Sequence, residues 1–208
     1  IQSLASDPSP LLEGQVWYNT TSTTLKGSPN VLGTGSWASG GAMNTGRNTA
    51  TTSGDHTAAT TAGGTTGAPY ANTAASETYD GTSWTTVNSL NTARHKSGGN
   101  GTNTACFVAG GTTSTGPGMM NNMEIWNGTC WSENNNLQAT TYACTGFGTT
   151  AAGLLTGEGL GPYSGATEKW DGTSWTEVNN LLTGTADAQG NGSSTAAAIT
   201  GGDGLSHE

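Results

Sequence analysis

The sequence has few charged residues and few large aliphatic ones. Only five of its 208 residues are Lys or Arg, and Leu, Ile, Val and Phe together number 23. So few cations leave no electrostatic basis for binding nucleic acid, and no run of about 18 apolar residues is present that would insert into a membrane. Thr (39 residues) and Gly (34 residues) dominate instead. Because Thr, Ser, Asn and Gly are poor helix formers, this composition predicts an all-β fold.

Sequence signatures of catalysis and of metal binding are absent as well. No His-Glu-x-x-His, Gly-x-Ser-x-Gly or metal-loop motif occurs. The three cysteines include no Cys-x-x-Cys pair, which predicts small buried thiols rather than a disulfide framework: Cys106, Cys130 and Cys144. The three histidines are predicted to be ordinary polar residues: His56, His95 and His207. We therefore predict a protein that is not an enzyme and carries no cofactor and no metal.

The sequence repeats itself with a period of about 47 residues. The clearest landmark is a tryptophan after a Gly-containing turn, with spacings of 47, 47 and 44 residues between copies. These tryptophans are Trp37, Trp84, Trp131 and Trp175. A short apolar stretch that ends in glycine recurs at the same period. This recurrence indicates one structural unit that is used about four times.

Each period reads as four short β-strands. The first two consist mainly of small residues, which suit the crowded centre of a propeller. The other two flank an Asp-Gly or Asn-Gly dipeptide: Asp80-Gly81, Asn127-Gly128 and Asp171-Gly172. These dipeptides predict type I′ hairpin turns, in which both central residues have positive φ. Aromatic residues on both sides of each turn are expected to pack across the hairpin.

Ionisable residues also recur at fixed positions of the repeat. Three glutamates share one position in the third strand: Glu77, Glu124 and Glu168. A repeated position favours a structural role, in which the carboxylates accept hydrogen bonds from backbone or Thr hydroxyls. A ring of carboxylates around a cation and a catalytic pair for glycoside cleavage are the alternatives. Another position holds arginine in two copies and threonine in the next two: Arg47, Arg94, Thr141 and Thr185.

A repeat of four strands and about 47 residues is typical of a β-propeller blade and is close to the kelch period. Residues 44–90, 91–137 and 138–181 each contain one blade, whereas 14–43 supply an outer half and 182–208 an inner half. Pairing of these halves predicts a four-bladed kelch-like propeller closed by its own termini, which removes open sheet edges. We assign residues 1–13 to an N-terminal extended segment and 14–208 to a single propeller domain. An open stack of sheets and a ring completed by other subunits are the alternatives.

Two stretches of the sequence resemble proteins of bacteriophage particles. The repeats at 77–94 and 168–179, each with Asp-Gly-Thr-Ser-Trp at its centre, are similar to the kelch-like arrays of virion proteins, common in phages of marine bacteria and cyanobacteria. The opening at 7–21, with Gly-Gln-Val-Trp-Tyr-Asn, resembles a short module of phage tail-fibre and structural proteins, as does the Gly-Ser-Trp-Ala-Ser-Gly-Gly at 35–41 that follows it. The resemblance covers nearly the whole chain. It implies a virion protein of the tail-fibre, spike or capsid-decoration type.

The connections after the repeated glycines differ most between copies, at 65–72, 112–122 and 159–164. They carry the side chains that we predict to be exposed and to form a binding surface: Tyr70, Met119, Met120 and Tyr163, with Pro69 and Pro162 beside them. In a blade these connections join the second and third strands, so they are expected at one face together with the termini. Tyr suits the C–H faces of sugars, and Met adapts to irregular apolar surfaces. Packing on neighbouring virion subunits, or no role, are the alternatives.

Taken together, these features predict a non-enzymatic phage structural protein, presented as a fibre, spike or decoration on the surface of the extracellular particle. The expected partners are other virion subunits, including copies of this chain in a homo-oligomer, and a host cell-surface glycan or protein. We expect no nucleic acid partner. Because a fold does not by itself supply a function, a secreted carbohydrate-binding propeller and a kelch-type oxidase or hydrolase are the alternatives.

Overall fold

The protein is all-β. The computed structural model describes residues 2–9, 15–27, 39–67, 70–113, 118–157 and 163–203, and every regular element in them is a β-strand. No helix in these ranges is long and apolar enough to cross a membrane. The chain divides into two compact units, Ile1–Ser39 and Gly40–Glu208. The predicted fold class is confirmed at this level.

Among its described residues, the unit at Ile1–Ser39 contains three strands: β1 (Gln2–Leu4), β2 (Val16–Asn19) and β3 (Thr24–Gly27). β1 pairs in parallel with β2, and β2 pairs in antiparallel with β3. The Asp7 carboxylate accepts hydrogen bonds from Lys26 Nζ at 2.8 Å, Asn19 Nδ2 at 2.7 Å and Trp17 Nε1 at 3.0 Å. These bonds, that of Lys26 first, lower the pKa of Asp7 to about 2. Residues of the opening module are thus held together by one ionised carboxylate.

The unit at Gly40–Glu208 contains three four-stranded antiparallel sheets and a two-stranded one among its described residues. The first sheet comprises β4 (Thr51–Gly54), β5 (Ala59–Ala62), β6 (Ser76–Tyr79) and β7 (Trp84–Val87). The second comprises β8 (Gly98–Gly101), β9 (Cys106–Ala109), β10 (Met123–Trp126) and β11 (Trp131–Asn134). The third comprises β12 (Cys144–Gly148), β13 (Gly153–Gly157), β14 (Thr167–Trp170) and β15 (Trp175–Glu177), and the pair is β16 (Gln189–Gly192) and β17 (Ala197–Thr200). Four strands per repeat, in sequential order, are confirmed for the first three sheets.

The Asp-Gly and Asn-Gly dipeptides form the predicted hairpins, but the prediction of type I′ turns is wrong. Only the glycine of each dipeptide has a positive φ, which is 92° at Gly81. The Asp80 carboxylate instead accepts hydrogen bonds from the N–H groups of Thr82 and Ser83 at 2.9 and 2.8 Å, and the other two turns repeat this pattern. A side chain that bonds the backbone two and three residues later stabilises a longer turn, so the first central residue needs no positive φ.

Aromatic pairs pack across the hairpins as predicted. The ring centroids of Trp126 and Trp131 lie 5.4 Å apart, and the equivalent pairs of the other two sheets have nearly the same spacing. Trp131 also donates its indole N–H to Ser76 Oγ of the preceding sheet at 3.1 Å, and Trp175 donates to Met123 Sδ at 3.2 Å. The outer hairpins of the second and third sheets therefore pack on the third strand of the sheet before them. These tryptophans stand in the two apolar core clusters of the unit.

The first strands of successive sheets pack directly on one another: β4 on β8, β8 on β12, and β12 on β16. Their glycines permit this close approach. A side-chain carbon added to Gly146 in β12 would lie 2.5 Å from the backbone nitrogen and 2.8 Å from the Cα of Gly99 in β8. The abundance of glycine in the first strands thus follows from the short distance between sheets.

We expect Gly146→Ala to destabilise the protein, because the added methyl group meets backbone atoms that cannot rotate away. Overpacking of this kind costs about 1–3 kcal/mol, which denaturant unfolding measures directly. Gly46→Ala is the matched control, since no atom lies within 4 Å of its added carbon, and its effect should stay within about 0.5 kcal/mol. Equal stability of the two variants would contradict the close packing of β8 on β12.

Candidate binding surface

Four residues at one repeat position lie just before the first strand of each repeat and link these strands to one another. Thr49, Lys96, Ala143 and Asp187 all have φ between 52° and 54°, a left-handed conformation that is uncommon for residues other than glycine. The N–H of Lys96 donates to the Thr49 carbonyl oxygen at 3.1 Å. The N–H of Ala143 donates in the same way to Lys96 at 2.8 Å, and that of Asp187 to Ala143 at 2.9 Å. These successive bonds compensate the strained backbone and link all four repeats.

An ion pair spans the same group of residues. Lys96 Nζ lies 2.7 Å from Asp187 Oδ2, so it joins the second repeat directly to the fourth. The residues that follow these positions line a polar cavity of about 150 Å³, with contributions from β4, β8, β12 and β16. The pair is partly exposed, with side-chain exposures of 31% and 47%, and therefore contributes little stability by itself. It places one charge of each sign next to the cavity.

The variable connections begin at this end of the first strands. Thr65 and Thr112, which follow the paired glycines of the first two repeats, form β-bridges with Asn48 and His95, the residues just before the left-handed positions. The two connections touch each other, because Asn72 Nδ2 donates to the Thr112 carbonyl oxygen at 3.3 Å. Two of the three connections therefore share one side, as predicted. The start of the third, at 159–162, lies outside the described residues.

The predicted binding residues differ in their exposure. Tyr70 and Tyr163 are exposed, at 62% and 45%, and both have a positive φ, of 60° and 54°. Met119 is half-buried. Met120 is only 9% exposed, because its connection pairs with Thr141 of the next repeat, so the prediction of an exposed side chain is wrong for Met120. Pro69 and Pro162 lie outside the described residues. Of the four predicted binding residues, the two tyrosines are thus exposed and Met119 is half-buried.

The repeated glutamates hold the backbone at the start of their own repeat. Glu77 accepts hydrogen bonds from the N–H groups of Asn44 and Thr45 at 2.7 and 3.1 Å. Glu124 and Glu168 bond the equivalent N–H groups of their repeats. Burial alone would raise the pKa of Glu77, but the two N–H groups and Arg47 hold it below its ordinary value. The predicted structural role is confirmed.

Arginines complete this arrangement in the first two repeats. Arg47 pairs with Glu77, and Arg94 Nη2 lies 2.7 Å from Glu124 Oε1, with all four side chains at most 1% exposed. Sequence reasoning noticed that the two arginines match but did not pair them with the glutamates. The shared period was the signal, because an Arg and a Glu that recur together at a constant separation of 30 residues are candidates for one contact.

In the described part of the chain, the cysteines and histidines do not come together in a metal-binding cluster. Burial raises the pKa of the Cys106 and Cys144 thiols to about 12 and about 11, whereas Cys130 is exposed, so the prediction of burial is wrong for Cys130. His56 is exposed, and burial, with the charge of Lys96, lowers the pKa of His95. His207 lies outside the described residues. Across the described ranges, no three His, Cys, Asp or Glu side chains come together to hold a metal ion.

The chain matches no protein-family model, and no curated protein is a significant match to it.

Proposed function

We propose that the chain forms a four-bladed kelch-like β-propeller closed by its own termini, in which residues 182–208 supply the inner half of the fourth blade and residues 14–43, apart from β2 and β3, which pair with β1, supply the outer half. The hydrogen bonds among the four left-handed residues support this proposal. A closed ring of four repeats has four contacts between neighbours, and three successive ones are present here. Lys96 and Asp187 belong to the second and fourth repeats, which stand opposite each other in such a ring. The polar cavity lined by all four first strands is the expected central channel.

The residues just before the first repeat support closure by the same chain. At the end of the first repeat, Asn88 Nδ2 donates to the carbonyl oxygen of Thr129 in the hairpin of the second, and the next repeat does the same. Gly41 stands 47 residues before Asn88 and lies against the equivalent Thr82, since a side-chain carbon on Gly41 would be 2.6 Å from the Thr82 carbonyl oxygen. Residues 40–43 therefore take the position of the end of a preceding blade.

A groove beside β17 also supports a fourth blade. It has a volume of about 510 Å³ and lies between the third sheet and β17, whose side chains are mostly exposed. Residues that line this groove are the repeat equivalents, 44 or 47 residues later in the sequence, of residues in the core cluster that contains Trp175. Leu154, Thr156, Thr167, Leu181 and Ile199 correspond to Phe107, Ala109, Met123, Leu137 and Leu155. The tryptophan at the repeat position of Trp175 in the opening half of the sequence is Trp37, which lies outside the described residues.

We further propose that the protein is a non-enzymatic structural protein of a bacteriophage particle, a fibre, spike or capsid decoration on the particle surface. The observation that carries this proposal is the meeting of the first two variable connections at one end of a rigid array of sheets, with Tyr70 exposed there. Such loops on a rigid scaffold suit recognition of another molecule. The buried glutamates are engaged in holding the backbone, which favours a scaffold over a catalytic centre. The setting in a virion rests on the sequence motifs at 7–21 and 77–94.

We expect the exposed tyrosines to contribute to attachment. Antibodies against the chain should label the particles of the phage that encodes it, and the purified protein should compete with those particles for adsorption to host cells. The double variant Tyr70→Ala/Tyr163→Ala should compete at least about tenfold less well, because truncation of aromatic contact residues often costs more than 1 kcal/mol each. Tyr18→Ala is the control, since Tyr18 is exposed but stands in β2.

These experiments distinguish the role of the tyrosines in attachment from the presence of the protein in a virion. Unlabelled particles, together with retention of the free protein on a glycan column, would favour the secreted carbohydrate-binding alternative. If the particles are labelled but the double variant competes as well as the wild type, the tyrosines do not contact the receptor. That result would favour packing on other virion subunits as their role.

A further inference from the structure

The third repeat contains a cavity at the position where the first two repeats hold an arginine. Its volume is about 390 Å³, and its walls include Thr141, Leu155, Ser164 and Glu168. Thr141 is the repeat equivalent of Arg47 and Arg94. Ala139, which also lines the cavity, is exposed to solvent, so the cavity opens at the surface.

The second repeat defines what this position binds when it is filled. The guanidinium of Arg94 donates to Glu124 Oε1 at 2.7 Å, to the Gly110 carbonyl oxygen at 3.0 Å and to the Asn122 carbonyl oxygen at 2.9 Å. Arg47 makes the same three kinds of bond in the first repeat. A carboxylate and two carbonyl groups therefore form a socket for a planar, multiply donating cation.

The third repeat keeps the carboxylate of this socket, whereas the Ala166 carbonyl oxygen already accepts hydrogen bonds from the Gly157 N–H and Thr156 Oγ1, both at 3.3 Å. Glu168 is the equivalent of Glu124, and Gly157 and Ala166 are the equivalents of Gly110 and Asn122. Glu168 is 8% exposed and accepts hydrogen bonds from the N–H groups of Gln138 and Ala139 at 2.9 and 3.2 Å. No cationic side chain of the described ranges pairs with it, whereas Glu77 and Glu124 each have an arginine. A buried carboxylate beside an open cavity attracts a cation more strongly than the same group in water, because the surroundings screen its charge less.

We propose that this cavity binds an alkylguanidinium cation, supplied either as a small molecule or as an arginine side chain of a partner protein. The guanidinium takes the place of the side chain that Thr141 lacks and pairs with the Glu168 carboxylate, while its alkyl part leaves through the opening beside Ala139. Ser164 on the cavity wall directly follows the exposed Tyr163, so the bound cation would lie next to the third variable connection. The site is independent of the proposed place of the protein in a virion.

The test is titration calorimetry of the full chain with agmatine, whose alkyl chain carries a guanidinium at one end and an ammonium at the other, and with putrescine, in which a second ammonium replaces the guanidinium. Agmatine should bind with one site per chain, and putrescine should bind at least about tenfold more weakly, because an ammonium lacks the planar fork of donors. A short capped peptide with a single arginine forms the second arm. Binding of agmatine alone indicates a small-molecule site, and binding of the peptide as well indicates that a partner's arginine is accepted.

Variants separate this site from weak general attraction of cations to an acidic protein. Thr141→Arg should abolish agmatine binding, because the new side chain occupies the cavity, and Glu168→Gln should weaken it by about 10- to 100-fold, through loss of a hydrogen bond to a charged group. Thr85→Arg adds the same charge on the exposed strand β7 and should leave binding unchanged. Absence of agmatine binding to the wild-type chain, or equal binding by Thr141→Arg, would overturn the proposal.

Discussion

Replacement of Arg94 by Thr is expected to lower the free energy of unfolding by about 3–5 kcal/mol. Arg94 and Glu124 are both 0% exposed, and the variant would leave the Glu124 carboxylate buried without its counter-ion. The carbonyl oxygens of Gly110 and Asn122 would lose a hydrogen bond as well. Urea unfolding at neutral pH, with the slope compared between variants, measures the loss.

Two further variants show whether the loss arises from the buried charge. The double variant Arg94→Thr/Glu124→Gln should recover part of the stability, because the unpaired charge is removed while the two backbone N–H groups keep an acceptor. Lys96→Gln removes the partly exposed ion pair with Asp187 and should cost about 0–1 kcal/mol. If Arg94→Thr remained within about 1 kcal/mol of the wild type, the buried pair would not be a main support of the second sheet.

Trp131→Ala is the second substitution for which we expect a large loss, again about 3–5 kcal/mol, as for other large buried aromatic residues. Trp131 is 6% exposed, packs in an apolar core cluster and donates its indole N–H to Ser76 Oγ of the preceding sheet at 3.1 Å. Denaturant unfolding of the purified variant gives the comparison.

Trp37→Ala is the comparison that bears on the proposed ring, because Trp37 holds the same repeat position as Trp131 in the sequence. Equal losses for Trp37→Ala and Trp131→Ala support closure within one chain. An open stack of sheets predicts that Trp37→Ala changes stability by no more than about 0.5 kcal/mol, as for a surface residue. A ring completed by other subunits predicts that the effect of Trp37→Ala depends on protein concentration.

The three hairpin tryptophans differ in how deeply they are buried. Trp131 and Trp175 are covered by the sheet that precedes them, whereas Trp84 belongs to the first sheet and is half-buried. The sequence presents the three residues as equivalent, because their local motif is nearly the same. Their surroundings differ because burial of each depends on the neighbour before it and not on its own repeat.

Local bonding explains where the sequence reading of the hairpins was right and where it was wrong. The aromatic residues on both sides of Asp80-Gly81 indicate in the sequence where the two strands meet the turn, and the structure pairs Tyr79 with Trp84 as expected. The turn type depends on a competition between backbone conformations, which the Asp80 side chain decides by bonding two N–H groups. Met120 was misjudged for a related reason, since a connection that reads as a free loop is paired with the next repeat.

By itself, the sequence determined the all-β class, the period, the four strands of each of the first three repeats and the structural role of Glu77, Glu124 and Glu168. These features depend on short-range preferences that recur at a constant interval, so each copy repeats the same information. Only the tertiary structure decided that Lys96 meets Asp187, that Arg94 neutralises Glu124, and that Thr141 leaves a cavity beside Glu168. These contacts join residues that are far apart in the chain, and their formation depends on how closely strands and sheets pack, which no local pattern encodes.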